Sequence, residues 1–311
     1  GKDVYVEKPL ANSIAECRVM LGAARKYNRI VQVGLQQRSG QHWQDVVSMV
    51  QSGQLGTIRK IKTWGYFGYG KGSPKVPDSP VPEGVDYNTW LGPAPKHPFN
   101  KNGFHGSWRH FWDHGGGLLT DWGVHLIDIP LWAMNVKFPK SVMASGGIYA
   151  YPDNAIETPD TLNVLYDYGN FTLEWDHAGG LSKGIYGRNY GVAFIGNNGT
   201  LVANREGWEV IAESENNTDK MKSLPLQAPD SAAHEKHVQN FIASVKSRKS
   251  PICEIENGHD VALVAHMGNI AYRTGNKLRW DEGKGRFADD AKANELLKPS
   301  YRSPWKFPEV S

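Results

Sequence analysis

Between Trp108 and Asp128 the chain reads Trp108-Arg109-His110-Phe111-Trp112-Asp113-His114, then Gly115-Gly116-Gly117, then Leu118-Leu119-Thr120-Asp121-Trp122-Gly123-Val124-His125-Leu126-Ile127-Asp128. The stretch after the glycines reads as a helix, and a 3.6-residue period puts Asp121, His125 and Asp128 on one face. A carboxylate one turn from an imidazole suits proton transfer, because the acid orients the ring and the ring titrates near neutrality. Cores rarely group so many polar and aromatic side chains, since each buried polar atom needs a partner. The pattern points to an enzyme.

A second chemical feature lies near the start. Asp3-Val4-Tyr5-Val6 reads as a buried strand, and Glu7-Lys8-Pro9 ends it. In open α/β sheets the C-terminal edge of the strands is where ligands bind. Lys8, pinned there by Pro9, can act as an acid or as a hydrogen-bond donor to a reacting hydroxyl or carbonyl.

These groups need a scaffold. A helix is predicted from Ser13 to Tyr27, with Ser13 as N-cap and Glu16 at capping-box spacing. Ile30-Val31-Gln32-Val33-Gly34 reads as a second strand, completing one β-α-β unit of a parallel sheet. Such a unit cannot bury its own faces, so neighbouring strands are expected before Gly1. A short helix at 41–51 and an alternating strand at 57–64 follow. Residues 68–106, rich in Gly and Pro, read as a long ordered loop of the kind that carries function. Pro130 should kink or end the helix that starts near Leu118. Strands are expected near 141–150, 161–168, 171–177, 191–196 and 200–204, with a hairpin turn at 167–170. Helices near 232–247 and 258–274 complete the pattern. The fold class is α+β: an open, mostly antiparallel sheet flanked by helices, plus the last β-α-β of a parallel α/β domain. The expected boundaries are 1–36, 37–285 and a C-terminal tail at 286–311.

Composition narrows the class. With 311 residues, 40% hydrophobic, 11% aromatic and 22% charged, the chain is long and apolar enough for a full core. A net charge of +3, without a Lys/Arg block, offers no nucleic-acid surface. Apolar runs are too short to span a bilayer. Cys17 and Cys253 are the only cysteines, which argues against a disulfide framework or a cysteine-built zinc site. Eleven tryptophans, many between 43 and 132, suit either an aromatic core or a pocket for ring-shaped ligands.

Other residues near the central motif can be read two ways. Arg109 could clamp a carboxylate or sugar hydroxyls, or pack against aromatics. Trp108, Trp112 and Trp122 could stack on a pyranose or fill a core. His105, His110 and His114 with Asp113 invite a metal reading, but their spacing matches no zinc pattern, and His105 is instead a candidate for substrate binding. Asp128 could support the site or cap the kink at Pro130. Arg188 and Tyr190 are further pocket candidates, and His177 reads as a satisfied strand residue. Gly68-Tyr69-Gly70-Lys71-Gly72 is followed by Ser73-Pro74 rather than by a helix, so it reads as a loop and not as a phosphate cradle.

Val6-Glu7-Lys8-Pro9-Leu10 followed by Asp121-Trp122-Gly123-Val124-His125 resembles the Gfo/Idh/MocA oxidoreductases, the family of glucose–fructose oxidoreductase and inositol dehydrogenase. Gln36-Gln37-Arg38-Ser39, Trp90-Leu91-Gly92-Pro93-Ala94-Pro95 and Tyr186-Gly187-Arg188-Asn189-Tyr190-Gly191 resemble a bacterial branch of it, and the likeness runs over about residues 1–305. The resemblance implies a nicotinamide cofactor, NAD or NADP, near Glu7, Lys8, Pro9 and Gln36. It implies that Lys8 bonds the reacting hydroxyl and the cofactor ribose, that His125 is the base, and that Asp121 orients substrate or histidine. It implies no metal, and a homo-oligomer formed through the second-domain sheet. The family's Gly-x-Gly-x-x-Gly fingerprint is expected upstream of Gly1.

Three activities fit this reading. The first is an oxidoreductase acting on a sugar, glycoside or polyol, of which this chain is the substrate-binding and catalytic portion. The second is a glycosidase working by transient oxidation and elimination. The third is a non-catalytic binding or oligomerisation module. Compartment stays open between periplasm and cytoplasm.

Overall fold

Ser13 turns extended chain into helix. Its backbone is extended (φ −150°, ψ 159°), its Oγ accepts from the Glu16 amide at 3.2 Å and donates to the Glu16 carboxylate at 2.9 Å. Ser13 is the expected N-cap, and Glu16 meets its hydroxyl. The computed structural model describes residues 1–67 and 71–309, so Gly68, Tyr69 and Gly70 of the glycine cluster lie outside the described residues.

The helix so started, α1 (Ile14–Lys26), joins β1 (Val4–Val6) to β2 (Val31–Val33), which pair in parallel with Val4 opposite Val31 and Val6 opposite Val33. Then come α2 (Gln41–Gln51), β3 (Ile58–Gly65), α3 (Tyr87–Leu91) and α4 (Val124–Met134). Strands follow: β4 (Ser141–Gly147), β5 (Thr161–Asp167), β6 (Thr172–Ala178), β7 (Tyr190–Gly196), β8 (Gly199–Asn204) and β9 (Gly207–Ala212). After the short β10 (Ser214–Glu215), β11 (Thr218–Asp219) and β12 (Leu224–Gln227), the chain ends in α5 (Ala233–Ser247), α6 (Ile255–Thr274), β13 (Leu278–Asp281), β14 (Arg286–Phe287) and α7 (Ala291–Glu295).

Ten strands form one sheet in the order β12-β9-β8-β7-β3-β6-β5-β4-β13-β14. β3 and β6 run parallel, and every other neighbouring pair is antiparallel. The fold is α+β, a large mixed sheet flanked by helices. Alternation decides which face is apolar: Leu162, Val164 and Tyr166 of β5 and Leu173 and Trp175 of β6 are buried, and their neighbours are partly open. This apolar face shares one core with Leu126 and Ile127 of α4 and Val261, Val264 and Met267 of α6. Each such side chain contributes about 1.5–3 kcal/mol on burial. The 167–170 hairpin is present, with Gly169 at φ 91° and its amide bonded to Asp167 Oδ1 at 2.7 Å.

Of the two outcomes expected at Pro130, a kink or an end, the end is corrected: α4 runs on to Met134 and closes at Asn135, in the left-handed region. A helix-interior proline costs about 3 kcal/mol, and α4 is buried along nearly its whole length, so packing outweighs that loss. Within residues 286–311, expected as a C-terminal tail, β14 extends the sheet and Phe287 is fully buried. No helix among the described residues is long and apolar enough to cross a membrane.

His177 gives the core a pH dependence. Its Nδ1 accepts from Trp175 Nε1 at 2.9 Å and its Nε2 meets the Pro159 carbonyl at 3.0 Å. Burial, the leading cause, pushes its pKa down to about 4. The unfolded chain therefore takes up a proton that the folded chain refuses. Stability is present above about pH 6.5 and is lost as pH falls toward 4, by up to about 3 kcal/mol. Urea midpoints measured across that range are expected to fall, and His177→Gln, which keeps a donor and an acceptor, is expected to flatten the decline.

Candidate active site

β1 delivers Lys8 to the cleft. Past Val6 the chain turns through a cis Lys8–Pro9 peptide, and the Lys8 ammonium reaches across to the helix carrying Asp121. Nζ donates to Asp121 Oδ1 at 2.7 Å and to the Asp121 carbonyl at 2.9 Å. Arg109 Nε stands 3.5 Å from the same Oδ1, and its guanidinium lies 4.5 Å from the centre of the Trp108 ring. One carboxylate thus sits between two cations. They border a cleft of about 450 Å³ whose walls include Glu7, Lys8, Pro9, Trp108, Arg109 and Asp121.

The glycine run shapes the cleft floor. Gly117 has φ 65°, a conformation that side-chain-bearing residues rarely adopt. At Gly116 a Cβ would meet Asn269 Nδ2 at 2.5 Å, and that nitrogen already donates to the Gly116 carbonyl at 2.8 Å. Asn269, on α6, thereby ties the run to the core.

Asp121, His125 and Asp128 do not form one stripe. Leu119–Gly123 is a π-helical turn, so the 3.6-residue period fails just where Asp121 stands. Such turns are frequent at functional sites. Asp121 faces Lys8, and His125 opens α4. Asp128 belongs to another partnership altogether: its two oxygens take Arg38 Nε at 2.8 Å and Nη2 at 2.7 Å, both residues buried. Both bonds go to Arg38, not to His125.

His125 is only 6% exposed, and its Nδ1 is sealed from solvent with no hydrogen-bond partner among the described residues. Burial first, then the charges of Lys8 and Arg205, hold its pKa well below the usual imidazole value, with Asp121 opposing. The ring is therefore neutral at physiological pH, the form that accepts a proton.

The structure gathers Glu7, Lys8, Pro9, Trp108, Arg109, His114 and Asp121 at one cleft, whose described lining does not include His125, and leaves other candidates elsewhere. Gln36 is half-buried in a 3₁₀ turn after β2. Trp112 lies across from Tyr272 with Arg273 over its ring, and borders a neighbouring cleft of about 510 Å³. Exposed His105 packs on Phe104. Arg188 braces the β8–β9 hairpin instead, bonding Glu209 at 2.5 Å and the Gly207 carbonyl at 3.1 Å. Tyr190 stacks against Trp122 and Phe67 behind the helix. His110 and His114 point to different neighbours: the His110 carbonyl accepts from Glu157 and Thr158, and the His114 ring meets Trp90 and His97.

Three contacts around the helix were not readable from the sequence, although Gln37 and Arg38 stand in the Gln36-Gln37-Arg38-Ser39 motif. Arg38 pairs with Asp128, Gln37 Nε2 donates to the His125 carbonyl at 3.0 Å, and Arg205 lies 4.6 Å from the centre of the Trp122 ring. Each acts across long sequence separations, and no local pattern marks such a pairing.

Comparison with known proteins defines the class. Residues 39–179 and 188–307 match the model of the oxidoreductase family C-terminal alpha/beta domain of the Gfo/Idh/MocA proteins. The chain belongs to the Gfo/Idh/MocA oxidoreductase family. It is similar to the uncharacterized oxidoreductase YrbE of Bacillus subtilis strain 168, 22% identical over 204 residues, which are 65% of this chain and 48% of that protein. The matches span less than half the length of the curated relatives. In fold it is similar to the aldose-aldose oxidoreductase of Caulobacter crescentus complexed with glycerol (TM-score 0.65, 19% identity, 89% of this chain and 72% of that one). The WlbA dehydrogenase of Bordetella pertussis, in complex with NADH and UDP-GlcNAcA, is similar too (TM-score 0.60, 16% identity, 90% and 72%).

Proposed function

We propose that this chain carries the substrate-binding and proton-transfer part of an NAD(P)-dependent oxidoreductase that acts on a hydroxyl of a sugar, glycoside or polyol. The observation that carries the reading is the double anchoring of Lys8 Nζ on Asp121 at the C-terminal end of a parallel strand, beside a buried neutral His125. Names of similar proteins, an aldose-aldose oxidoreductase and a dehydrogenase complexed with NADH, agree with it.

The cleft suits the nicotinamide end of the cofactor. It opens where β1 ends, the place where parallel strands present ligands, and Glu7, Lys8 and Pro9 line it. Bound there, the nicotinamide supplies the hydride acceptor. The chain supplies the rest. Lys8 donates a hydrogen bond to the reacting hydroxyl, stabilising oxygen as it gains negative charge. Asp121 fixes the ammonium, and Arg109 offers donors to a neighbouring hydroxyl or carboxylate. His125 takes the hydroxyl proton. In this proposal Nε2 accepts the proton, and Nδ1, buried with no hydrogen-bond partner among the described residues, carries the ring hydrogen of the neutral form. In this proposal residues 1–36 face the cofactor, and the ten-stranded sheet carries the self-association surface.

The test is a panel of aldoses, uronic acids, inositols and aryl glycosides incubated with the natively expressed protein and NAD⁺ or NADP⁺. Formation of reduced nicotinamide with at least one hydroxyl substrate is the expected result. Aglycone release without net reduction would assign the transient-oxidation chemistry instead. Absence of both, with neither nucleotide bound in calorimetry, would overturn the proposal.

A further inference from the structure

Behind the helix that carries His125, one buried amide joins two things that the sequence keeps far apart. Gln37, 3% exposed, sits in the turn between β2 and α2. Its Nε2 donates to the His125 carbonyl at 3.0 Å, and its Oε1 accepts from Arg205 Nε at 3.2 Å. Arg205 comes from the β8–β9 turn, and its guanidinium lies 4.6 Å from the centre of the Trp122 ring. The edge of the His125 ring meets that same indole, with centroids 6.1 Å apart.

We propose that Arg205, held by Gln37 and seated on Trp122, is a positioning residue that sets a second cation, after Lys8, against the His125 site and keeps the His125 helix in register with Lys8. The inference rests on the reading of His125 as proton acceptor. Two cations act on His125, Lys8 from the segment after β1 and Arg205 from the β8–β9 turn, and after burial itself both disfavour a positive charge on the ring. Asp121, from the π turn, is the opposing anion, itself engaged by Lys8 and Arg109. Asp128, one turn along α4, is neutralised by Arg38 from the turn before α2, and Tyr190 of β7 meets Trp122 as a neutral phenol.

The experiment follows the His125 ring by ¹⁵N-edited NMR titration in the wild type, Arg205→Gln and Arg205→Lys, beside the acid limb of the kcat profile. Removing the cation should raise the His125 midpoint by about one unit, so that protonation intrudes at higher pH and the acid limb moves up with it. Arg205→Lys keeps the charge and should stay near the wild type. Gln37→Met, which loosens Arg205 without deleting it, should move the midpoint the same way by less, and it serves if Arg205→Gln does not fold. An unchanged midpoint in a folded Arg205→Gln or Gln37→Met protein overturns the inference. A raised midpoint with an unmoved acid limb supports the control by Arg205 and refutes His125 as the acceptor.

Discussion

Lys8→Met is expected to lower kcat/KM by about 10²–10⁴-fold, the usual contribution of a positioned acid–base or donor group. Methionine keeps most of the side-chain length but removes both Nζ contacts to Asp121. The hydroxyl then has no ammonium to polarise it, and the Asp121 carboxylate turns toward Arg109, 3.5 Å away. Because the lost bond strengthens as charge develops on oxygen, the fall should lie mainly in kcat. Arg109→Met removes a group a third exposed at the cleft mouth, and should raise KM more than it lowers kcat. Steady-state rates of nicotinamide reduction, with circular dichroism to verify folding, check both. Turnover within threefold of wild type in Lys8→Met would remove Lys8 from the chemistry.

The largest stability effect is expected at Asp128→Ala. The substitution strands the Arg38 guanidinium, which is 8% exposed and held by two bonds to Asp128. Breaking a buried pair from one side costs about 3–5 kcal/mol, a large share of the roughly 5–15 kcal/mol that holds a domain folded. The Arg38 guanidinium also lies 5.1 Å from the centre of the Trp132 ring, a contact that cannot solvate the charge. Replacing both partners with Met and Leu removes the stranded charge and should recover most of the loss. Urea unfolding of the single and double variants measures this; a single variant within about 1 kcal/mol of wild type would show that water reaches Arg38.

Local chemistry was legible in the sequence, and contacts across the fold were not. Ser13 and Glu16 are three residues apart, so the N-cap could be read from their types alone, and so could the turn at Gly169. Lys8 and Asp121 were each recognisable from position, on a strand end and on a helix after glycines, although 113 residues separate them. What failed was the assumption of one helical period: the π turn at Leu119–Gly123 breaks it, and Asp128 leaves the site for Arg38. Arg188 stood in a glycine-rich stretch that looked like a pocket rim, yet Glu209 on the neighbouring hairpin claims it. β9 and β12 were overlooked because neither carries a clean two-residue alternation, and their place depends on β8 already being there. The tryptophans could not be apportioned from composition. Trp43, Trp64 and Trp175 fill the interior, while Trp108 borders the cleft.

β3 occupies the middle of the ten-stranded sheet, yet it is the first of those strands to be synthesised. Thr63 bonds to Glu174, 111 residues later, and the partner on the other side, β7, comes later still. At about 5–20 residues per second a ribosome needs roughly 5–20 s to deliver the first partner. Throughout that interval Ile61, fully buried in the finished protein, has no strand beside it. Long-range pairing of this kind slows folding and leaves an apolar strand open to wrong partners. A nascent chain stalled once β3 has cleared the ribosome but before β6 is made should therefore be a good substrate for holdase chaperones, and one from which β7 has also emerged a poor one.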